Sequence, residues 1–276
     1  MRQNTRASDS ASEYREVAPA RALGGDVLCL WEQRIVGSQG EYAHRVLPDG
    51  CIDIVQINHE EPIVVGPWTE SFIAQFVTGT RIVGARFHPG RAMGLLEVPA
   101  SELLNRCVPL RDVWRRAACE LFSRIAEEED FAARRSALEA ALLSRLRSAD
   151  PPDREVAAAM RWLSRFPESR VEQVSRWIGM SGRQLQRRFC AAVGYGPKMF
   201  QSVLRFQRLL NLGGGKRDHP SLAQLSMDAG YADQPHMNRE VRRFSGLAPT
   251  ALLPGAGCAL RMSGLVRTPD GLEGQA

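Results

Sequence analysis

Residues 221–249, SLAQLSMDAGYADQPHMNREVRRFSGLAP, decide the fold. Leu222, Leu225 and Ala229 fall on one face of a short helix, Gly230 marks a tight turn, and Asp233 stands where a second helix needs an N-cap. Met237 and Val241, four residues apart, give the second helix an inner side to set against the first. The pattern predicts a helix-turn-helix.

An earlier stretch repeats it. Val171, Gln173, Val174, Ser175, Ile178 and Gly179 recur as Leu222, Gln224, Leu225, Ser226, Ala229 and Gly230 at a constant offset. With one residue inserted in the second turn, Leu185, Phe189, Gly194 and Pro197 recur as Met237, Val241, Gly246 and Pro249. An apolar period alone is common among amphipathic helices. A repeated turn glycine, a repeated glycine after the last helix and a proline three beyond it mark an internal duplication. Between the copies, residues 197–212 place Met199, Phe200, Val203, Leu204, Phe206, Gln207 and Leu210 on a broad apolar face, and Pro197 suits a first helical turn. This connector is predicted to be one long helix that holds the two units rigidly apart.

In the first copy Leu185, Phe189 and Val193 fall at i, i+4 and i+8 and face the core. That leaves Arg183, Gln184, Gln186 and Arg187 on the outer side, with Ser181 as N-cap. Arginine can contact guanine O6 and N7 with two hydrogen bonds, and glutamine can do the same with adenine N6 and N7. In the second copy Gln234, Asn238 and Arg239 project similarly, while Arg242 and Arg243 lie further along and suit phosphates. His236 has three readings: a cap, a bond to backbone near the helix start, or a phosphate contact.

Two helix-turn-helix units joined by one long helix resemble the DNA-binding domain of the AraC/XylS family of transcriptional regulators. The resemblance runs from about residue 154 to 253 and includes GYADQPHMNREVRRFSGLAP. Met237 and Val241 stand where the family usually has phenylalanine, and Pro235 where a small polar residue is commoner. Pro235 is tolerable, because in a first turn its missing N–H has no intrahelical partner. The resemblance implies base-reading residues at the same outer positions, and two recognition helices entering successive major-groove segments about 34 Å apart. It implies double-stranded DNA as the partner, with RNA polymerase, a small-molecule effector and a second copy of the chain as further candidates. It implies no cofactor.

Charge agrees with that assignment. The chain carries +5, but residues 151–254 hold 16 Arg and Lys against 8 Asp and Glu, a net +8 that leaves −3 for the rest. A basic balance confined to one domain is what attraction to phosphates requires; a solvated helix surface is the alternative. The length of 276 residues suits two domains, and 44% hydrophobic and 24% charged residues are ordinary for a globular chain. No run approaches the ~20 apolar residues of a membrane span, and residues 1–20 lack the apolar core of a secretory signal, so the expected location is cytoplasmic. Six cysteines without a CxxC pair read as small buried hydrophobes.

Four segments are expected: a disordered tail at 1–20, a sensory or assembly domain at 21–150, the DNA-binding domain at 151–254 and a disordered tail at 255–276. From Val27 the runs VLCLWEQRIV, HRVLPDGCIDIVQIN, PIVVGPW and FIAQFVTGTRIVGARFHPG, separated by Gly and Pro turns, predict an antiparallel sheet or barrel of six or seven strands. VLPDGCIDIV and GARFHPG resemble an uncharacterised domain often fused ahead of AraC-type readers and thought to be cupin-like. Beyond Pro99 the period turns helical: Ser101 is expected to cap a helix through Leu103 and Leu104, and Asp130 another through Leu138 and Leu142. These helices either pack on the sheet, the reading preferred, or pair between two chains. The fold class is therefore a two-domain α+β chain, a cupin-like sheet domain with following helices and an all-α reader.

A cupin-like barrel raises the alternative of a metalloenzyme with a DNA-binding appendage. His44, His59 and His88 are dispersed and form no HxH pair, and no catalytic motif appears, so neither a metal site nor enzymatic activity is expected. His44, Arg86 and His88 are read first as surface polar residues and secondly as the lining of an anionic-ligand pocket, because alternate strand residues share a face. A third reading of the chain is an architectural binder without sequence preference.

Overall fold

The computed structural model describes residues 11–37, 40–213 and 221–253. Its first part is built on eight strands among the described residues: β1 (Ala11–Val17), β2 (Val27–Val36), β3 (Glu41–Val46), β4 (Ile52–Ile57), β5 (Ile63–Val65), β6 (Phe72–Val77), β7 (Arg81–Phe87) and β8 (Cys107–Pro109). Six form an antiparallel sheet in the order β1-β2-β7-β4-β5-β8, and β3 pairs with β6 as a separate ribbon.

Side-chain alternation gives the large sheet two apolar faces. Leu30, Ile52, Ile54, Val64, Ala85 and Phe87 pack beneath the helices α1 (Ala92–Leu96), α2 (Leu110–Trp114), α3 (Arg116–Ile125) and α4 (Phe131–Leu146). Cys29, Trp31, Val55 and Ile82 point the other way, towards the β3–β6 ribbon. A bulge between Val27 and Cys29 shifts the parity of β2, so Val27 and Leu30 both reach the helical side. Gly84 makes room for the Trp31 indole, which lies 2.4 Å from where a Cβ would sit.

Three expectations for this part are corrected. The segment 1–20 is not a disordered tail from Ala11 onward: β1 runs along β2 in full register, with Ser12, Tyr14 and Glu16 turned inward and Glu13 and Arg15 exposed. Strand β8 was also outside the six or seven expected. Ser101 caps no helix; it sits inside a short 3-10 turn, Ala100–Glu102, whose backbone folds too tightly to continue through Leu103. Helices α3 and α4 pack on their own sheet, and Asp130 caps α4 by accepting from Ala132 N and Ala133 N. Cys29 and Cys51 are buried, but Cys107 and Cys119 are exposed; Cys258 and the segment 255–276 lie outside the described residues.

The second part is all helical: α5 (Arg154–Arg165), α6 (Val171–Trp177), α7 (Gly182–Val193), α8 (Pro197–Gly213), α9 (Leu222–Asp228), α10 (Gln234–Ser245) and α11 (Pro249–Leu252). The duplication is visible in the backbone. Gly179, Gly194, Gly230 and Gly246 all have φ between 70° and 96°, the left-handed region that ends a helix where a Cβ would be strained. Pro197 and Pro249 then open the next helix in each copy.

The connector α8 is the spine. Phe200 meets Phe189 of α7 at 5.4 Å between ring centroids, and Phe206 meets Phe244 of α10 at 5.1 Å. Ser202 Oγ donates to Glu240 at 2.6 Å, adding a polar tie to α10. Each buried phenylalanine contributes about 1.5–3 kcal/mol, so the two ring pairs fix both α7 and α10 to one rod. No described helix is long and apolar enough to cross a membrane.

Candidate nucleic-acid interface and N-terminal cavity

In α7 the residues Leu185, Phe189, Ala192 and Val193 are buried, while Arg183, Gln184, Gln186 and Arg187 are exposed. Ser181 Oγ accepts from Gln184 N, and the Gln184 carbonyl oxygen accepts in return from Ser181 N and Oγ. This capping box commits the Gln184 oxygen to the helix start. Gln186 Nε2 lies 3.3 Å from Cys190 Sγ, a weak partner that base edges can displace.

Arg187 and its neighbour Arg188 part company. Arg188 turns back to α5, where Nε and Nη2 donate to Asp153 at 2.6 and 2.7 Å and Nη2 also reaches Glu155. Asp153 itself caps α5 through Val156 N. Burial pushes the Asp153 carboxyl up, but the hydrogen bonds from Arg188 and Val156 outweigh it and hold its pKa below the ordinary carboxylate value. A depressed carboxylate pKa contributes stability that is full above the unfolded value and is lost as pH falls through the folded one. Asp153→Asn keeps a competent cap, so it should cost a few tenths to about 1 kcal/mol at pH 6, with the deficit shrinking progressively below about pH 4. Urea titrations of both proteins at the two pH values would show it; an equal gap at acid pH would rule out the charge as its source.

In α10, Met237, Val241 and Phe244 are buried and Arg239, Arg242 and Arg243 exposed. Asp233 caps the helix through His236 N. Gln234, His236 and Asn238 are half-buried, and the His236 ring stands edge-on to Tyr231 and 3.8 Å from Glu240. Arg243 Nη2 reaches Met199 Sδ at 3.6 Å. The exposed basic side chains thus lie on two helices, α7 and α10, that are both packed on the connector α8.

Between the large sheet and the β3–β6 ribbon lies a cavity of about 250 Å³. His44 and Arg86 line it; His88 does not, lying past the end of β7 beside Asp26 and Arg91. Neither His44 nor Arg86 is a surface residue: Arg86 is 2% exposed and His44 half-buried. Arg86 Nε lies 3.1 Å from Asp53 Oδ1, Trp31 Nε1 donates to the same oxygen at 2.8 Å, and Asp49 Oδ2 is 4.0 Å from Arg86 Nη1. Burial opposes the Arg86 charge, but Asp53 and Asp49 outweigh it and hold its pKa above the ordinary value. Burial, reinforced by Arg86, pushes the His44 pKa down, which favours the neutral ring. Among the described residues no group of three or more His, Cys, Asp or Glu is placed to hold a metal ion.

One wall of this cavity is shared with the helical domain. Leu47 lines the cavity and also belongs to the apolar core of the helices. Pro48 O accepts from Gln207 Nε2 of the connector at 2.6 Å, and Gly50, at φ 81°, fits beneath Tyr195 and Phe200. Next to His44 on β3, Arg45 Nη1 donates to Ser245 O at the end of α10 at 2.7 Å. The sequence placed Gln207 on the connector's apolar face but gave no partner for it.

Paired helix-turn-helix units, each with exposed arginines on its second helix, define a DNA-binding protein. Residues 174–254 match a family described as a helix-turn-helix domain, and residues 15–109 a family described as a domain of unknown function, DUF6597. The C-terminal unit thus matches a helix-turn-helix domain that follows a segment matching that uncharacterised domain. Solved structures of ToxT from Vibrio cholerae are similar in general architecture. An apo, singly substituted ToxT is 10% identical, with 90% of this chain and 97% of that one covered and a TM-score of 0.43. Wild-type ToxT bound to an unsaturated fatty acid is 11% identical, with 92% and 97% covered and a TM-score of 0.39. No curated protein matches the chain.

Proposed function

We propose that the protein is a sequence-specific transcription regulator whose DNA affinity is set by a small molecule held in the cavity of the N-terminal domain. Arg183, Gln186 and Arg187 of α7 and Arg239 of α10 read base edges, while Arg242 and Arg243 hold phosphates. The observation that carries the reading is the exposure of these side chains on two helices pinned to one spine by Phe189–Phe200 and Phe206–Phe244 contacts. Ser181 and Gln184 act on the helix start and so on the aim of Arg183. Control is supported by the shared wall: whatever displaces Leu47 or β3 also moves the seats of Gln207 and Ser245.

Selection of duplexes from a random pool by the full chain tests it. The expected result is a consensus of two elements centred about one helical turn, ~34 Å, apart. A selected pool with no enriched sequence would leave only non-specific backbone binding.

A further inference from the structure

We infer that the cavity of the N-terminal domain takes an uncharged, flat, ring-bearing molecule carrying a hydrogen-bond acceptor, and discriminates against carboxylates. The inference deepens the ligand-control reading above and rests on it for its biological meaning. Its chemistry comes from the lining.

The walls are aromatic: Tyr14, Trp31, Trp68, Phe72 and Phe76 all face the space, and Trp68 and Phe72 already pack at 4.2 Å between ring centroids. Such walls favour another ring, stacked or edge-on. The volume of about 250 Å³ lies just below the usual range of roughly 300–1,000 Å³ for ligand pockets, so the occupant is small.

Two buried polar atoms on the lining, Trp68 Nε1 and His44 Nδ1, have no hydrogen-bond partner among the described residues. An indole N–H is a donor only, so the matching ligand atom is an acceptor. Leaving such a group buried and unsatisfied is costly, which makes the contact selective.

The charge balance decides between a neutral acceptor and an anionic one. Arg86 faces Asp53 and Asp49, two carboxylates for one guanidinium. A ligand carboxylate would enter with no surplus positive charge to meet it and would lose its hydration. A ligand ammonium group would meet the surplus carboxylate but brings only donors, so the Trp68 N–H would stay unanswered. The pocket for an anionic ligand, the second of the two sequence readings, is thereby replaced by one for an uncharged ligand.

Calorimetric titration of the full chain with 2-naphthol, naphthalene, 2-naphthoate, 2-naphthylmethylammonium and oleate tests the assignment. 2-Naphthol should bind at one site, at least ~10-fold more tightly than either charged naphthalene or oleate. Trp68→Phe, which keeps the ring and deletes the donor, should weaken 2-naphthol by about 3- to 10-fold and leave naphthalene unchanged. Tighter binding of 2-naphthoate or oleate than of 2-naphthol overturns the inference, and so does failure of 2-naphthol to bind, or equal effects of Trp68→Phe on both neutral rings. DNA affinity measured with and without 2-naphthol separates the two ideas. Selective binding that leaves DNA affinity unchanged upholds the ligand class and removes the control.

Discussion

The double substitution Arg187→Ala with Arg239→Ala should abolish most sequence-specific binding while leaving the fold intact. Each arginine is exposed, one on α7 and one on α10, and among the described residues neither enters a salt bridge within the chain. Their loss should therefore change stability by no more than about 0.5 kcal/mol. A base-reading arginine is worth about 1–3 kcal/mol. On separate helices the two losses add. The expected fall in affinity for the selected duplex runs from roughly 30-fold to about four orders of magnitude. Affinity for random duplex should fall far less, and Arg242→Ala should weaken both duplexes alike and lower the salt slope by about 1. Arg188→Ala is the internal contrast. It breaks the tie between α7 and α5 and should lower stability more than it alters base preference. Gel-shift titrations at fixed salt, paired with thermal melts, resolve these cases. An unchanged preference in the double variant would remove both arginines from base reading.

The helical domain was legible because its constraints are local. A capping residue, a left-handed glycine and an apolar pair four apart all act within a few residues, so Asp233, Gly230, Met237 and Val241 could be placed from sequence alone. Phe244 completes the same face seven residues after Met237 and was within reach of the same reasoning. Strand β1 was not, because an edge strand with one exposed face needs few apolar residues. Its inward side is Ser12, Tyr14 and Glu16, and only pairing with β2 makes it a strand. Arg134 was equally hidden: nothing near it in the chain announces that it will be 1% exposed and donate to Asn58 O and Glu128 O. The same holds for the cavity. Alternation offered Arg86 a place in a pocket only as the second reading, after a surface one, and Asp53 on β4 and Asp49 in the turn before it meet Arg86 only through sheet order, a meeting that leaves no surplus positive charge for an anion.

Asp53→Leu should be the most damaging substitution in the N-terminal domain. Asp53 is 8% exposed and accepts from Arg86 Nε, Arg86 Nη2 and Trp31 Nε1 at 2.8–3.3 Å. Its removal strips a buried guanidinium of its nearest carboxylate and leaves Asp49 at 4.0 Å as the next. Breaking a buried pair from one side costs about 3–5 kcal/mol, because desolvation of the surviving charge is no longer offset. Replacing both partners is a different experiment. In the doubly substituted protein, Asp53→Leu with Arg86→Met, the close buried pair is removed as a unit and only the longer 4.0 Å contact of Asp49 is lost, so most of the stability should return. Denaturant titrations of the three proteins give the coupling directly. If the double variant is as unstable as the single one, packing of the Asp53 side chain rather than charge is what matters there. Recovery in the double variant would also bear on the cavity: its polar end would then hold Asp49 without Arg86, and binding of an uncharged ring should survive the exchange.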